Sequence, residues 1–251
     1  VPGQLYEIGN RRYRYPSDVT ITGKVIPLKS SFFIRLRQLC EKTFIVLNSC
    51  GIDAWLTGGT LLGSIRHQSI PMPNDDDLDI AVEEKHLPYL FSEDFTQKCK
   101  AHGLRTIFLL SNDQHCSDRH GGAVRLQHVD GQDTATIDIF FWRRYTGDTD
   151  KDGNTLCAKI DSWCETKDGG REVRLNSKEV FLTKSVWPLS KNIVVDDLLV
   201  NLPNDAPTVL SKQYGSSVMT QVYTRPNLVT HTFNRPCSTR YNDFVKNKMK
   251  K

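Results

Sequence analysis

The stretch Asp77-Leu78-Asp79-Ile80-Ala81-Val82 constrains this chain more than any other. Its acidic and apolar residues alternate, and alternate side chains of a strand share a face. The strand predicted over 78–82 ("LDIAV") turns Leu78 and Ile80 into a core and brings Asp77 and Asp79 together on the opposite face. Asp75 and Asp76 lie just before it, so four Asp fall within positions 75–79. Carboxylates aimed together repel, and one is driven toward protonation unless something neutralises it. A divalent cation removes the conflict. Hard oxygen ligands suit Mg²⁺, which binds through one or two carboxylates plus substrate phosphates.

Asp138 is the candidate for a third carboxylate. It interrupts an otherwise apolar strand, "TIDIFF", where a charge needs a partner. There it shares a face with Thr136 and Phe140, away from Ile137 and Ile139. Upstream, "LTGGTLLG" reads as strand, Gly58-Gly59 turn and helix. Glycine lets a backbone approach a ligand closely. The unpaired first amides of a helix, with its dipole, favour an anion. Arg66 and His67 end the short helix and can add positive charge. Each part has a plain reading: a loop, surface acids at Asp75 and Asp76, cations offsetting a helix dipole, a buried structural Asp138. Taken in order, they make a phosphate cradle beside a two- or three-carboxylate metal site. That equipment serves phosphoryl or nucleotidyl transfer, where catalysis is mostly positioning and charge neutralisation.

The rest of the chain fits one mixed α/β domain. Residues 1–29 read as an irregular lead-in with one short strand. A helix runs from Ser30 or Ser31 to a stop at Gly51, with Phe32, Leu36, Leu39, Thr43 and Leu47 on one stripe. "AWLT" is a short strand, residues 84–102 read as a helix, and "LRTIFLL" as a strand. "AVRLQHV" and "ATIDIFFW" flank the turn signal "DGQD" and form an antiparallel hairpin. Residues 146–172 read as a polar insertion. "EVFLTKSVWPL" and "NIVVDDLLVNLP" are further strands, and "APTVLSKQYG" is a short helix ended by glycine.

Composition sets the bounds. The chain has 251 residues, 38% of them hydrophobic, enough for one large domain with a core. Net charge is +4, too mild for a nucleic-acid-coating protein, so no nucleic-acid partner is expected. Part of the excess is Lys246, Lys248, Lys250 and Lys251, a solvated basic tail over 221–251. No apolar run approaches the ~20 residues that cross a bilayer. Membrane association is expected only through an N-terminal anchor preceding Val1. The cysteines number seven, with no paired CxxC spacing. Cys157 and Cys164 read as buried thiols; a metal or disulfide cluster with His115 and Cys116 is the other reading.

"GGTLLGSIRH…PNDDDLDIAV" resembles the signature of the LicD/fukutin family of phosphotransferases, whose nucleotidyltransferase fold is typified by DNA polymerase beta. "IDIFF" resembles the family's later acidic strand. "WPLSKNIVVDDLLVNLPNDAPTVLSKQYGSSVM" resembles its closing segment, a strand, a hairpin and a helix ending in Tyr214-Gly215. The likeness covers roughly residues 30–220, the core of a single domain over 1–251. It implies an α/β (α+β) fold, a mixed sheet flanked by helices with a C-terminal hairpin-helix segment. It also implies an enzyme that moves a phospho-alcohol from a CDP-linked donor to a glycan hydroxyl and releases CMP, with Mg²⁺ or Mn²⁺. Carried over, Asp77 and Asp79 bind metal. Asp138 completes the site or accepts the acceptor's proton. Gly58, Gly59 and Thr60 hold the pyrophosphate, and Arg66 and His67 lie near the nucleotide. A bacterial-like member would be cytoplasmic, and a fukutin-like one would sit in the Golgi or ER lumen.

The chain departs from the family pattern in its loop. Asn74 stands where the family has Trp, and the segment between His67 and Asp75 is longer and carries Pro71 and Pro73. Two other readings compete. One is a nucleotidyltransferase of the same fold that uses an NTP and releases pyrophosphate. The other is an inactive relative that binds a glycan or anionic polymer.

Overall fold

The computed structural model describes residues 5–8, 11–14, 20–22, 30–71, 75–110, 120–130, 135–150, 152–219 and 221–223. His115, Cys116, Cys237 and the basic residues of the tail lie outside them. The lead-in holds three strands rather than one. β1 (Leu5–Ile8) pairs with β2 (Arg11–Arg14), and β3 (Thr20–Thr22) runs parallel to β13 (Gln221–Tyr223) near the other end of the chain.

α1 (Ser30–Ser49) takes the predicted bounds. Its stripe of Phe33, Leu36, Leu39, Cys40 and Leu47 is buried. Gly51 ends it at φ 68°, a conformation that residues with a Cβ rarely adopt. Next come β4 (Ala54–Leu56), α2 (Gly58–Arg66) and β5 (Asp77–Glu83). The single helix predicted over 84–102 is instead a 3-10 turn at Glu84–His86, then α3 (Leu87–Leu90) and α4 (Glu93–Ala101). Two residues explain the break. Pro88 lacks an N–H and suits only the first turn of a helix. Ser92 begins α4 afresh, its hydroxyl accepting the Phe95 N–H at 3.2 Å.

β6 (Leu104–Leu110), β7 (His120–His128) and β8 (Thr136–Thr149) follow. The 146–172 segment, expected as a polar insertion, is mostly strand. β9 (Thr155–Glu165) and β10 (Arg171–Leu182) extend the sheet. Most of the Gly and Asp residues that suggested a loop sit in its two turns. In the first, the Asp150 carboxylate accepts the N–H groups of Asp152 and Asn154 at 2.9 and 2.8 Å. Between the turns, Cys157, Ala158, Ile160 and Trp163 are buried. After β10 the chain turns through α5 (Thr183–Val186) rather than continuing as a strand. β11 (Ser190–Val195) and β12 (Leu198–Leu202) make the predicted hairpin, and α6 (Ala206–Tyr214) closes the segment.

β4 to β10 form one seven-stranded sheet in the order β10-β9-β7-β8-β5-β4, with β6 paired to β7. The fold is α+β, a mixed sheet flanked by helices. β7 and β8 are antiparallel, as the turn signal predicts, but β5 and β8 are parallel. Leu78, Ile80 and Val82 of β5 and Ile137, Ile139 and Phe141 of β8 are wholly buried, so both strands give one face to the core. α1 packs on β4, β5, β7 and β8, while α2 packs on β5 and α6. The C-terminal segment joins the sheet through Trp55. Its ring meets Trp142 and Trp187 edge-on, with centroids 6.2 and 5.2 Å apart. Arg144 covers Trp187 at 4.2 Å.

Candidate functional site

The period of two places Asp77 and Asp79 on the face of β5 opposite Leu78 and Ile80. The parallel register then sets Asp79 beside Asp138 and Asp77 beside Thr136. Asp75 and Asp76, just before the strand, gather with Asp77. One carboxylate oxygen from each of Asp75, Asp76 and Asp77 lies within 4.8 Å of the others. Asp75 is buried, while Asp76 and Asp77 are partly open.

Gly58 and Gly59, which the sequence suggests as a turn, are the first two residues of α2 and border this group. Gly58 sits at φ 55°, and a Cβ there would fall on the Asp79 carboxylate. A Cβ on Gly59 would fall on the Asp75 carboxylate. Only glycine lets these two acids lie against the start of α2. The Gly59 N–H donates to Asp79 Oδ2 at 3.2 Å, so the first turn of the helix points at a carboxylate. Thr60 fixes the same residue from behind, its hydroxyl accepting the Asp79 N–H at 2.7 Å.

Asp79 carries the strain of the arrangement. Burial, then the Asp77 and Asp75 charges, raise its carboxyl well above the usual value of 3.8. The Lys159 charge lowers it but does not offset them. A divalent cation would. The donors are all hard carboxylate oxygens, which suit Mg²⁺ or Mn²⁺. The residues present therefore fit such an ion.

Arg66 and His67 lie elsewhere than an anion-facing pair would. Both are buried at the far end of α2. Arg66 donates from Nη1 to the Val218 carbonyl at 2.8 Å and from Nε to His67 Nε2 at 2.9 Å. His67 Nε2 must be unprotonated to accept that bond. Burial and the adjacent Arg66 charge lower the His67 pKa from 6.5 to about 3, so the ring is neutral at ordinary pH.

Asp138 has a cation of its own. Arg125 of β7 stands opposite it in the antiparallel register and bonds both oxygens, Nε to Oδ1 at 2.7 Å and Nη2 to Oδ2 at 2.8 Å. Arg125 is the site residue that the sequence reading missed. The signal was present: an arginine in the alternating strand "AVRLQHV", whose hairpin register brings it to Asp138. Cys157 and Cys164 are both buried thiols on β9, seven residues apart and so on opposite faces. Burial pushes the Cys157 thiol up to about 12. Among the described residues, Asp75, Asp76 and Asp77 are the acids, histidines or cysteines that converge as metal ligands do.

Comparison with known proteins agrees with this geometry. Residues 51–169 match the family model described as LicD/FKTN/FKRP, nucleotidyltransferase domain. The match takes in Gly58, Gly59, the acidic strand and Asp138. The chain is also similar to two rickettsial proteins. It is 41% identical over 63 residues to Uncharacterized protein RP689 of Rickettsia prowazekii (strain Madrid E), covering 24% of this chain and 23% of that protein. It is 41% identical over 71 residues to Uncharacterized protein RT0683 of Rickettsia typhi (strain ATCC VR-144 / Wilmington), covering 28% of this chain and 22% of that one. The chain thus spans under a quarter of either relative's length. Residues 51–169 are thus a domain of the LicD/FKTN/FKRP nucleotidyltransferase family.

Proposed function

We propose that this protein is a metal-dependent phosphotransferase that moves a phospho-alcohol from a CDP-linked donor to a glycan hydroxyl and releases CMP. The observation that supports this reading best is the seating of Asp75 and Asp79 against Gly58 and Gly59 at the start of α2, beside Asp77, in a domain of this family. Asp77 and Asp79 would hold Mg²⁺ or Mn²⁺, with Asp75 and Asp76 alongside. Such an ion supplies charge neutralisation to the substrate's phosphates.

The chain's own residues do the rest. Gly58 and Gly59 lack the Cβ that would displace Asp79 and Asp75, so both acids stay at the start of α2, where a metal they hold would meet the diphosphate. Thr60 holds Asp79 in place. Arg66 and His67 serve by anchoring the end of α2 rather than by touching the nucleotide. In the reaction the acceptor hydroxyl oxygen bonds to the phosphorus that carries the alcohol. The bond from that phosphorus to the CMP oxygen breaks, CMP leaves with the electron pair, and the hydroxyl proton passes to a carboxylate or to solvent.

The test is CMP release with Mn²⁺ from CDP-choline, CDP-ribitol and CDP-glycerol in the presence of a glycan acceptor. Asp77→Ala and Asp79→Ala should each lose roughly a hundredfold or more, as removal of a transition-state stabiliser does. Wild-type turnover in either would defeat the assignment. Pyrophosphate release from an NTP instead would point to nucleotidyl transfer.

A further inference from the structure

Three side chains form a row across the sheet. Asp79 pairs with Asp138 in the parallel register, and Asp138 pairs with Arg125 in the antiparallel one. Paired residues share a face, so the row lies on the face that carries Asp77. Adjacent strands are about 4.8 Å apart, which puts the Arg125 strand about 10 Å from that of Asp79. The two bonds from Arg125 to Asp138 are short and parallel, the strong fork geometry of guanidinium and carboxylate. The partners differ in access. The Arg125 side chain is 35% exposed and that of Asp138 only 10%.

We propose that Arg125 is a substrate-binding residue that receives the donor's diphosphate, that Asp138 is the residue positioning it, and that Asp138 stands outside the metal-holding set. This deepens the phosphotransferase reading and rests on it. A guanidinium has five N–H groups, and Asp138 takes two. The other three remain on the more exposed partner, beside the acids that would hold the metal. The Asp138 bonds, with the Asp138, Asp77 and Asp79 charges, hold Arg125 as a firm cation. A dication on Asp138 would share its oxygens with that cation, an unfavourable contact. A phosphate between the metal and Arg125 meets opposite charge on both sides. Lysine could not do the same work, because its point charge lacks the planar fork that grips Asp138 and a phosphate together.

The test is calorimetric and separate from turnover. Mn²⁺ is titrated first, then CDP at saturating Mn²⁺, into the wild type and Asp77→Asn, Asp138→Asn, Arg125→Gln, Arg125→Lys and the Arg125→Gln/Asp138→Asn double variant. Asp77→Asn should weaken Mn²⁺ tenfold or more, while the Asp138 and Arg125 variants stay within about threefold. CDP should weaken about tenfold in Arg125→Gln, Asp138→Asn and the double variant, with partial recovery in Arg125→Lys. The double variant leaves no unpaired buried charge, so it answers the question if a single variant fails to fold. Loss of Mn²⁺ in Asp138→Asn to the extent of Asp77→Asn overturns the proposal, as does wild-type CDP affinity in Arg125→Gln. If the wild type binds both ligands and Arg125→Gln changes neither, only this inference fails. If the wild type binds neither, the phosphotransferase reading fails with it.

Discussion

The Asp79 side chain occupies the space that a Cβ on Gly58 would need, and it crowds that position with three atoms: Oδ2, Cγ and Cβ. The conflict at Gly59 is milder, since chiefly the tip of Asp75 is in the way. Gly58 also sits at φ 55°, which costs a residue with a Cβ roughly 1 kcal/mol or more. Gly58→Ala should therefore destabilise the protein by about 1–3 kcal/mol and disturb the acids. Gly59→Ala should cost less, because a flexible carboxylate can swing away. Urea unfolding of the two variants, with a Mn²⁺ titration of each, checks the order. Equal losses would mean that the left-handed backbone at Gly58 carries no weight.

Asp79→Asn should make the metal-free protein more stable at pH 7. Asp79's carboxyl is raised above its ordinary value by burial and by the Asp77 and Asp75 charges. A raised carboxyl favours folding below the unfolded value of 3.8, and that benefit is lost as pH rises through the folded value. The gain from asparagine should thus be absent near pH 3 and grow above pH 4. At this size 1 kcal/mol moves Tm by about 2–4 °C. The same change should abolish stabilisation by Mn²⁺, which in the wild type should reach about 2.7 kcal/mol at 100 times Kd. Thermal melts across pH, with and without Mn²⁺, read both effects. A variant still stabilised by Mn²⁺ would remove Asp79 from the metal site.

How far the sequence could be read depended on whether the cause was local. Asp77 and Asp79 sharing a face follows from a period of two. Asp138 beside them needs only that two apolar strands with matching acids be neighbours. Arg125 needed the β7–β8 register, which a turn signal suggests but does not number. Composition misled over 146–172: Gly and Asp marked two tight turns, and the alternation of "TLCAKIDSWCE" between them was the stronger signal. Arg66 also has a nonlocal partner that its sequence position does not announce. The chain returns after α6 and brings the Val218 carbonyl to Arg66, 152 residues away.

The Arg66–His67 anchor should make the fold acid-sensitive. His67 is buried and neutral, with a pKa lowered from 6.5 to about 3. A lowered histidine contributes stability above its unfolded value and loses it as pH falls toward the folded one. Between pH 6.5 and 3 the wild type should lose about 1.4 kcal/mol per pH unit from this group. His67→Gln keeps an acceptor for Arg66 Nε and cannot take the proton. It should flatten that part of the profile, as measured by urea unfolding at pH 7, 6, 5 and 4. Parallel profiles for the two proteins would assign the acid sensitivity to other groups.

We propose that the sheet and the segment after residue 182 unfold as one unit, although the family match ends at residue 169. Trp55 is the reason. It lies on β4, inside the matched region, and its ring meets Trp187, beyond that region, at 5.2 Å. Trp55 is 1% exposed, so the contact belongs to the core. The Asn201 side chain adds a second tie, donating to the Ala54 carbonyl at 2.8 Å. Trp55→Ala should cost about 3–5 kcal/mol, the usual range for deleting a buried large aromatic ring. It should lower the urea midpoint of the entire transition. Tryptophan fluorescence and far-UV circular dichroism should trace one curve before and after the change. If the variant instead splits unfolding into two steps, with the sheet outlasting the segment after residue 182, the C-terminal part is a separate unit docked on the domain.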